Sequence, residues 1–106
     1  MSNSIVAKRY AVALFEIAKE KNALDTMTEE IRAVKEVFST NQELYAFLKQ
    51  PKITLQQKQQ LLSDAFTGIS DDIKSTIMLM IERHRTDEIA QMSAEFVELC
   101  NEDKSV

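Results

Sequence analysis

The stretch AKRYAVALFEIA, Ala7 to Ala18, decides how the chain is read. On a helix at about 100° per residue, Val6, Ala7, Tyr10, Ala11, Ala13, Leu14, Phe15, Ile17 and Ala18 cover an apolar arc of roughly 200°. A helix on the surface of a small bundle needs a stripe of only ~100° or a little more, so this one is expected to be covered on two sides. Ala7, Ala11 and Ala18 form one edge, where the lack of bulk lets a neighbouring helix approach closely. Val6, Tyr10, Ala13 and Ile17 form the other edge, which is left for a second partner. Lys8, Arg9, Val12, Glu16, Lys19 and Glu20 fill the remaining arc and are expected to face water.

Working outward, Ser2, Asn3 or Ser4 is placed to cap this first helix, which is expected to run to about Lys21, with Asn22 capping the next. In the second helix Met27, Ile31, Val34 and Phe38 make a narrow stripe with one partner face. Asn41 caps a short third helix, Gln42 to Lys49, which Pro51 ends by disfavouring αR geometry at Gln50. Thr54 and Gln57 match a capping box, in which hydroxyl and amide satisfy free backbone groups reciprocally. It opens a fourth helix carrying Leu55, Leu61, Leu62, Ala65 and Phe66, closed by Gly68 as a left-handed cap. Ser70 caps the fifth, whose main face is Ile73, Ile77, Met80 and Ile81; Met78 and Leu79 project to the far side beside Ser75 and Glu82. Thr86, Asp87 and Glu88 start the sixth, with the stripe Ile89, Met92, Phe96, Leu99 and Cys100, and the chain is expected to fray from Asn101. The fold class is therefore all-α: a single domain spanning 1–106, a compact bundle of six helices, mostly antiparallel, with short loops.

The totals fit that reading. One Gly, one Pro and no Trp in 106 residues leave few turns needing positive φ. Seventeen acidic against thirteen basic residues give a net charge of -4, which argues against nucleic acid as a partner. The longest apolar run, Ile77 to Ile81, is far short of the ~20 residues that cross a bilayer, so no direct membrane insertion is expected. The N-terminus lacks the apolar core of a signal peptide and the Arg- and Ser-rich character of a transit peptide, and is read as the mature start of a protein made in the cytoplasm.

Residues that could carry chemistry have plainer explanations. His84 has no second ligand at metal-binding spacing and reads as a cation-capable side chain at a helix C-terminus. Cys100 falls on an apolar stripe and reads as a buried, inert thiol. No two carboxylates call for pairing as acid and base, and a chain with one glycine has no phosphate loop. Lys8, Arg9, Lys49, Lys52 and Lys58 are read as solvated surface. Neither catalytic residues nor metal or cofactor ligands are assigned. What remains is the apolar excess on the first and fifth helices: either both are central in the bundle, or a groove between them receives an amphipathic helix from a partner.

Several short stretches carry a resemblance, in order, over nearly the whole chain. They are Arg9-Tyr10-Ala11 with Ala13-Leu14-Phe15 and Ala18, Asn41-Gln42-Glu43-Leu44 with Phe47-Leu48, then Pro51, Ile53 and Lys58, then MLMIERHR from Met78 to Arg85, then Phe96. In these the sequence resembles the N-terminal domain of the delta subunits of bacterial F-type ATP synthases, relatives of the mitochondrial oligomycin-sensitivity-conferring protein. The resemblance implies a non-catalytic stator component at the cytoplasmic face of the bacterial membrane, peripheral to it, that supports proton-driven ATP synthesis. Its partner would be the amphipathic N-terminal helix of an alpha subunit, received between helices one and five. Carried over by position, the implied contacts are Tyr10, Ala13 and Leu14, with Ser75, Met78, Leu79 and Glu82; Val6 and Ile17 join them from the wheel. Delta subunits continue into a further domain that meets the peripheral-stalk b subunit, so stalk contact is not assigned to this stretch. The isolated domain is expected to be a monomer. A generic adaptor for another amphipathic helix would share these features, and a small enzyme using Cys100 or His84 is the weaker rival.

Overall fold

A computed structural model of the chain describes residues 4–104. Six α-helices lie in it: α1 (Ile5–Glu20), α2 (Leu24–Thr40), α3 (Gln42–Lys49), α4 (Leu55–Ala65), α5 (Asp71–Glu82) and α6 (Ile89–Lys104), with a 3-10 turn (Thr86–Glu88) leading into α6. Among the described residues there is no strand, and the all-α expectation stands.

Local chemistry sets most boundaries. The Ser4 hydroxyl accepts from the Ala7 amide at 3.0 Å, making it the cap of α1; Ser2 and Asn3 lie outside the described residues. Asn41 accepts from the Leu44 amide at 3.0 Å, and the Thr54–Gln57 capping box is complete, at 3.1 Å and 3.0 Å. Some caps differ from expectation. Asn22 does not cap α2. It takes the left-handed conformation (φ 56°) after α1, with the Ala23 amide donating to the Ala18 carbonyl and the Asn22 amide to Lys19. This is a Schellman ending, and asparagine tolerates the required φ better than most side chains. His84 (φ 61°) closes α5 in the same way, the Arg85 amide reaching Met80 and the His84 amide reaching Ile81. Its position is thus fixed by a backbone role that composition does not advertise.

Smaller corrections have equally local causes. Ser70 precedes α5, but its hydroxyl makes no capping bond and is buried without a partner; its amide donates instead to the Glu30 carboxylate at 3.0 Å. Gly68 has the expected positive φ (90°) but sits two residues past the C-cap, Phe66. Leu55, at the first position of α4, points to solvent, as does Ala65. Nor does the end of α6 fray at Asn101. The helix continues to Lys104, held by Lys104–Asp25 (2.7 Å) and Lys19–Asp103 (3.4 Å), contacts that join it to the starts and ends of its neighbours.

The core runs between α1, α2 and α6. Met27, Ile31, Val34 and Phe38 of α2 are buried, as are Ala7, Ala11, Leu14 and Ala18 of α1 and Ile89, Met92, Phe96 and Cys100 of α6. Lys19–Asp103 joins the C-terminal ends of α1 and α6, which run parallel, whereas Lys104–Asp25 sets α6 antiparallel to α2. The last helix therefore seats between the first two rather than simply folding back on α5. Phe38 anchors the far end of α2, stacked on Phe66 (centroids 6.0 Å apart) and edge-on to Tyr45 (6.3 Å).

Two stability measurements test this account. Phe38→Ala removes a buried ring with two aromatic neighbours and is expected to cost ~3 to 5 kcal/mol in urea unfolding. His84→Gly relieves a side chain held at positive φ and is expected to raise the thermal midpoint by a few degrees, corresponding to ~0.5 to 1 kcal/mol.

Candidate functional site

The side of α1 that does not meet α6 is positioned against α5 by two polar ties. Lys21, at the end of α1, donates to the Asp72 carboxylate at 2.7 Å near the start of α5. Arg83, at the end of α5, donates to the Tyr10 hydroxyl at 3.3 Å. The two helices therefore lie side by side and antiparallel. Tyr10 and Lys21 are eleven positions apart, as are Asp72 and Arg83. Eleven residues make almost exactly three helical turns, so each pair marks one continuous face of its helix. Ile17 falls on the marked face of α1 and Leu79 on that of α5, both between the two ties. The carboxylate of Asp72 holds the Lys21 ammonium protonated above its usual range, chiefly through their hydrogen bond.

This geometry sorts the nine residues singled out in the sequence. Val6, Tyr10 and Ile17 are half-buried and Ala13 is exposed, all along the α5 flank of α1. Leu79 is 37% exposed, one of three large apolar side chains left open among the described residues, and faces the same seam. Ser75 and Glu82 are exposed on the outer crest of α5. Two residues are placed elsewhere. Leu14 is fully buried in the core, because it belongs to the same stripe as Ala7, Ala11 and Ala18, and it supports the seam from beneath rather than lining it. Met78, about 100° round the helix from Leu79, turns to the other flank, where with Gln59, Ser63, Lys74 and Ser75 it lines a depression of about 530 Å³ between α4 and α5.

The face is open rather than deep. Ala13 and Ile17 line a depression built from α1 alone. Beside it the sequence reading missed a neighbour: Ile5 is 70% exposed and shares a shallow basin with Val12 and Ala13 on the outer crest of α1. The seven-residue spacing of Ile5 and Val12 was the available signal, hidden because both sit among Lys8, Arg9 and Glu16.

The groups that could have carried chemistry are quiet. Burial pushes the Cys100 thiol up from its ordinary pKa, the opposite of what a nucleophile needs. Among the described residues no cluster of His, Cys, Asp and Glu could hold a metal ion.

A family model described as ATP synthase delta (OSCP) subunit matches residues 6–106. The chain belongs to this family. It is 47% identical over all 106 residues to an ATP synthase subunit delta from Bacillus mycoides strain KBAB4, and 43% identical to one from Geobacillus sp. strain WCH70. These matches cover 100% of the chain but 59% and 60% of the relatives, so it spans about three fifths of their length.

The split between seam and core is measurable in truncations of identical chemistry. Leu14→Ala is expected to cost ~2.7 to 5 kcal/mol in chemical denaturation, whereas Leu79→Ala, on the open face, is expected to cost about 1 kcal/mol.

Proposed function

We propose that this chain docks the stator of an F-type ATP synthase onto its catalytic head, by receiving the amphipathic N-terminal helix of an alpha subunit along the α1–α5 seam. Membership of the delta-subunit family supports a place in that complex. The observation that carries the docking site is the apolar strip of Val6, Tyr10, Ala13, Ile17 and Leu79 along two antiparallel helices joined by polar ties, with Leu79 open to solvent. A guest helix meets such a strip with anchors at i, i+3, i+4 and i+7. Ser75 and Glu82 on the crest give its polar edge hydrogen-bonding partners, and Met78 reaches it only if it lies across α5.

The role is mechanical and non-catalytic. Rotation of the central shaft exerts torque on the head, and a static connection must resist it. One guest helix buries no more than the ~1,200 to 2,000 Å² of a standard interface, so tight binding relies on preformed packing and a few anchors. The preformed seam meets that need, since α1 and α5 are already held in register. In this reading the protein works at the cytoplasmic face of the membrane as a peripheral subunit; no helix among the described residues is long and apolar enough to cross a membrane. In the same reading, contact with the peripheral-stalk b subunit falls to a part of the subunit outside the matched stretch.

Calorimetric titration with a peptide of about twenty residues from the alpha-subunit N-terminus tests the reading. Saturable one-to-one binding, reduced at least tenfold by Leu79→Asp while circular dichroism stays unchanged, is the expected result. Absence of binding to the folded chain would overturn it and return the seam to some other amphipathic helix.

A further inference from the structure

A second site lies away from the α1–α5 seam, where the end of α3, the first turn of α4 and the end of α5 converge on the 3-10 turn. There a cavity of about 280 Å³ has Lys58 and Thr86 in its lining, with the Lys49–Asp87 pair at its edge and Leu48 and Ile81 as apolar wall. Lys58 was expected on solvated surface. Instead it is only 7% exposed, and Thr86 only 5%. Among the described residues neither the Lys58 ammonium nor the Thr86 hydroxyl has a hydrogen-bond or ion-pair partner, and neither is sealed from solvent as the Ser70 hydroxyl is. Neighbouring side chains cover the Lys58 stem while its ammonium keeps access to solvent, so it and the Thr86 hydroxyl are two donors that line one cavity and are free to meet the same acceptor.

The one carboxylate in the lining does not supply it. Asp87 accepts from the Tyr45 hydroxyl at 2.5 Å and pairs with Lys49 at 3.0 Å. Those contacts, Tyr45 first, hold its carboxyl below the ordinary carboxylate range. Lys49 and Asp87 cancel, leaving one net positive charge, that of Lys58. A monoanion balances it, whereas a phosphate dianion would leave a negative charge beside Asp87. The apolar wall of Leu48 and Ile81 suits a short aliphatic stem rather than a fully hydrated anion.

We propose that this cavity binds a carboxylate on a short aliphatic stem, with Lys58 as its charge partner and Thr86 as its second donor. The group comes either from a small free acid or from a glutamate side chain of a bound protein. The site is independent of helix docking on α1 and α5.

Amide chemical-shift titration of the 106-residue chain tests this with three probes: propionate, inorganic phosphate, and a capped pentapeptide of alanines with one central glutamate. Propionate is expected to shift the amides of Leu48, His84 and Thr86 saturably, with a Kd on the order of millimolar. Lys58→Met is expected to weaken binding roughly tenfold or more, and Thr86→Val by a smaller factor, keeping the test decisive if one variant fails to fold. Saturation by the pentapeptide as well would assign the source to a protein side chain; saturation by propionate alone would assign it to a free acid. No saturable shifts with propionate, shifts unaltered in both variants, or preference for phosphate would each overturn the proposal.

Discussion

The structure depends on how closely α6 can lie along α1. Ala7, Ala11 and Ala18 present nothing beyond a β-carbon on the buried face of α1, and all three are fully buried. Small residues at that spacing let Cα atoms of the two helices come within 8 Å, so that Met92, Phe96 and Cys100 of α6 fill the space between α1 and the Met27–Phe38 stripe of α2. Bulk is supplied by α6, α2 and Leu14, and the three alanines of α1 supply proximity. Enlarging any of those alanines would have to move a whole helix, since interiors at this density have little slack.

That arrangement decides what α1 has left to offer. With its small residues committed to α6, two of its larger apolar side chains, Tyr10 and Ile17, fall on the flank toward α5. There Lys21–Asp72 and Arg83–Tyr10 fix the register. Exposed ties of this kind stabilise little, in the region of 0 to 1 kcal/mol each. Their effect is geometric: set at both ends of a three-turn span, they hold Ile17 and Leu79 on facing sides of one seam.

The sequence made most of the helices legible, because their signals are local. The Thr54–Gln57 box and the Asn41 cap act within three residues, and the α2 stripe follows directly from the helical period. The same wheel marked Leu79 as lying off the core face. It could not separate Leu14 from Tyr10, since both lie on one broad arc and only the seat of α6 shows which side of that arc is interior. It likewise put Met78 beside Leu79, although α4 and α1 claim the two residues for opposite flanks. The left-handed endings at Asn22 and His84 escaped for a different reason: both positions usually fall to glycine, and neither residue announces the role by type. Lys58 escaped because burial of a lysine depends on three elements that meet only in the folded chain.

The helix ending at His84 and the burial of Lys58 share a physical origin. The reversal of the chain at His84 carries it from α5 into the 3-10 turn and so brings Thr86 and Asp87 over α3 and α4. The turn also leads α6 away from α5 toward the gap between α1 and α2. One tight helix ending therefore serves both halves of the molecule: it sends α6 to the core, leaving α5 beside α1 with Leu79 open, and it brings Thr86 to the cavity lined by Lys58. The left-handed residue at position 84 thus bears on both sites through the path it gives the chain, by way of two backbone hydrogen bonds, Arg85 to Met80 and His84 to Ile81.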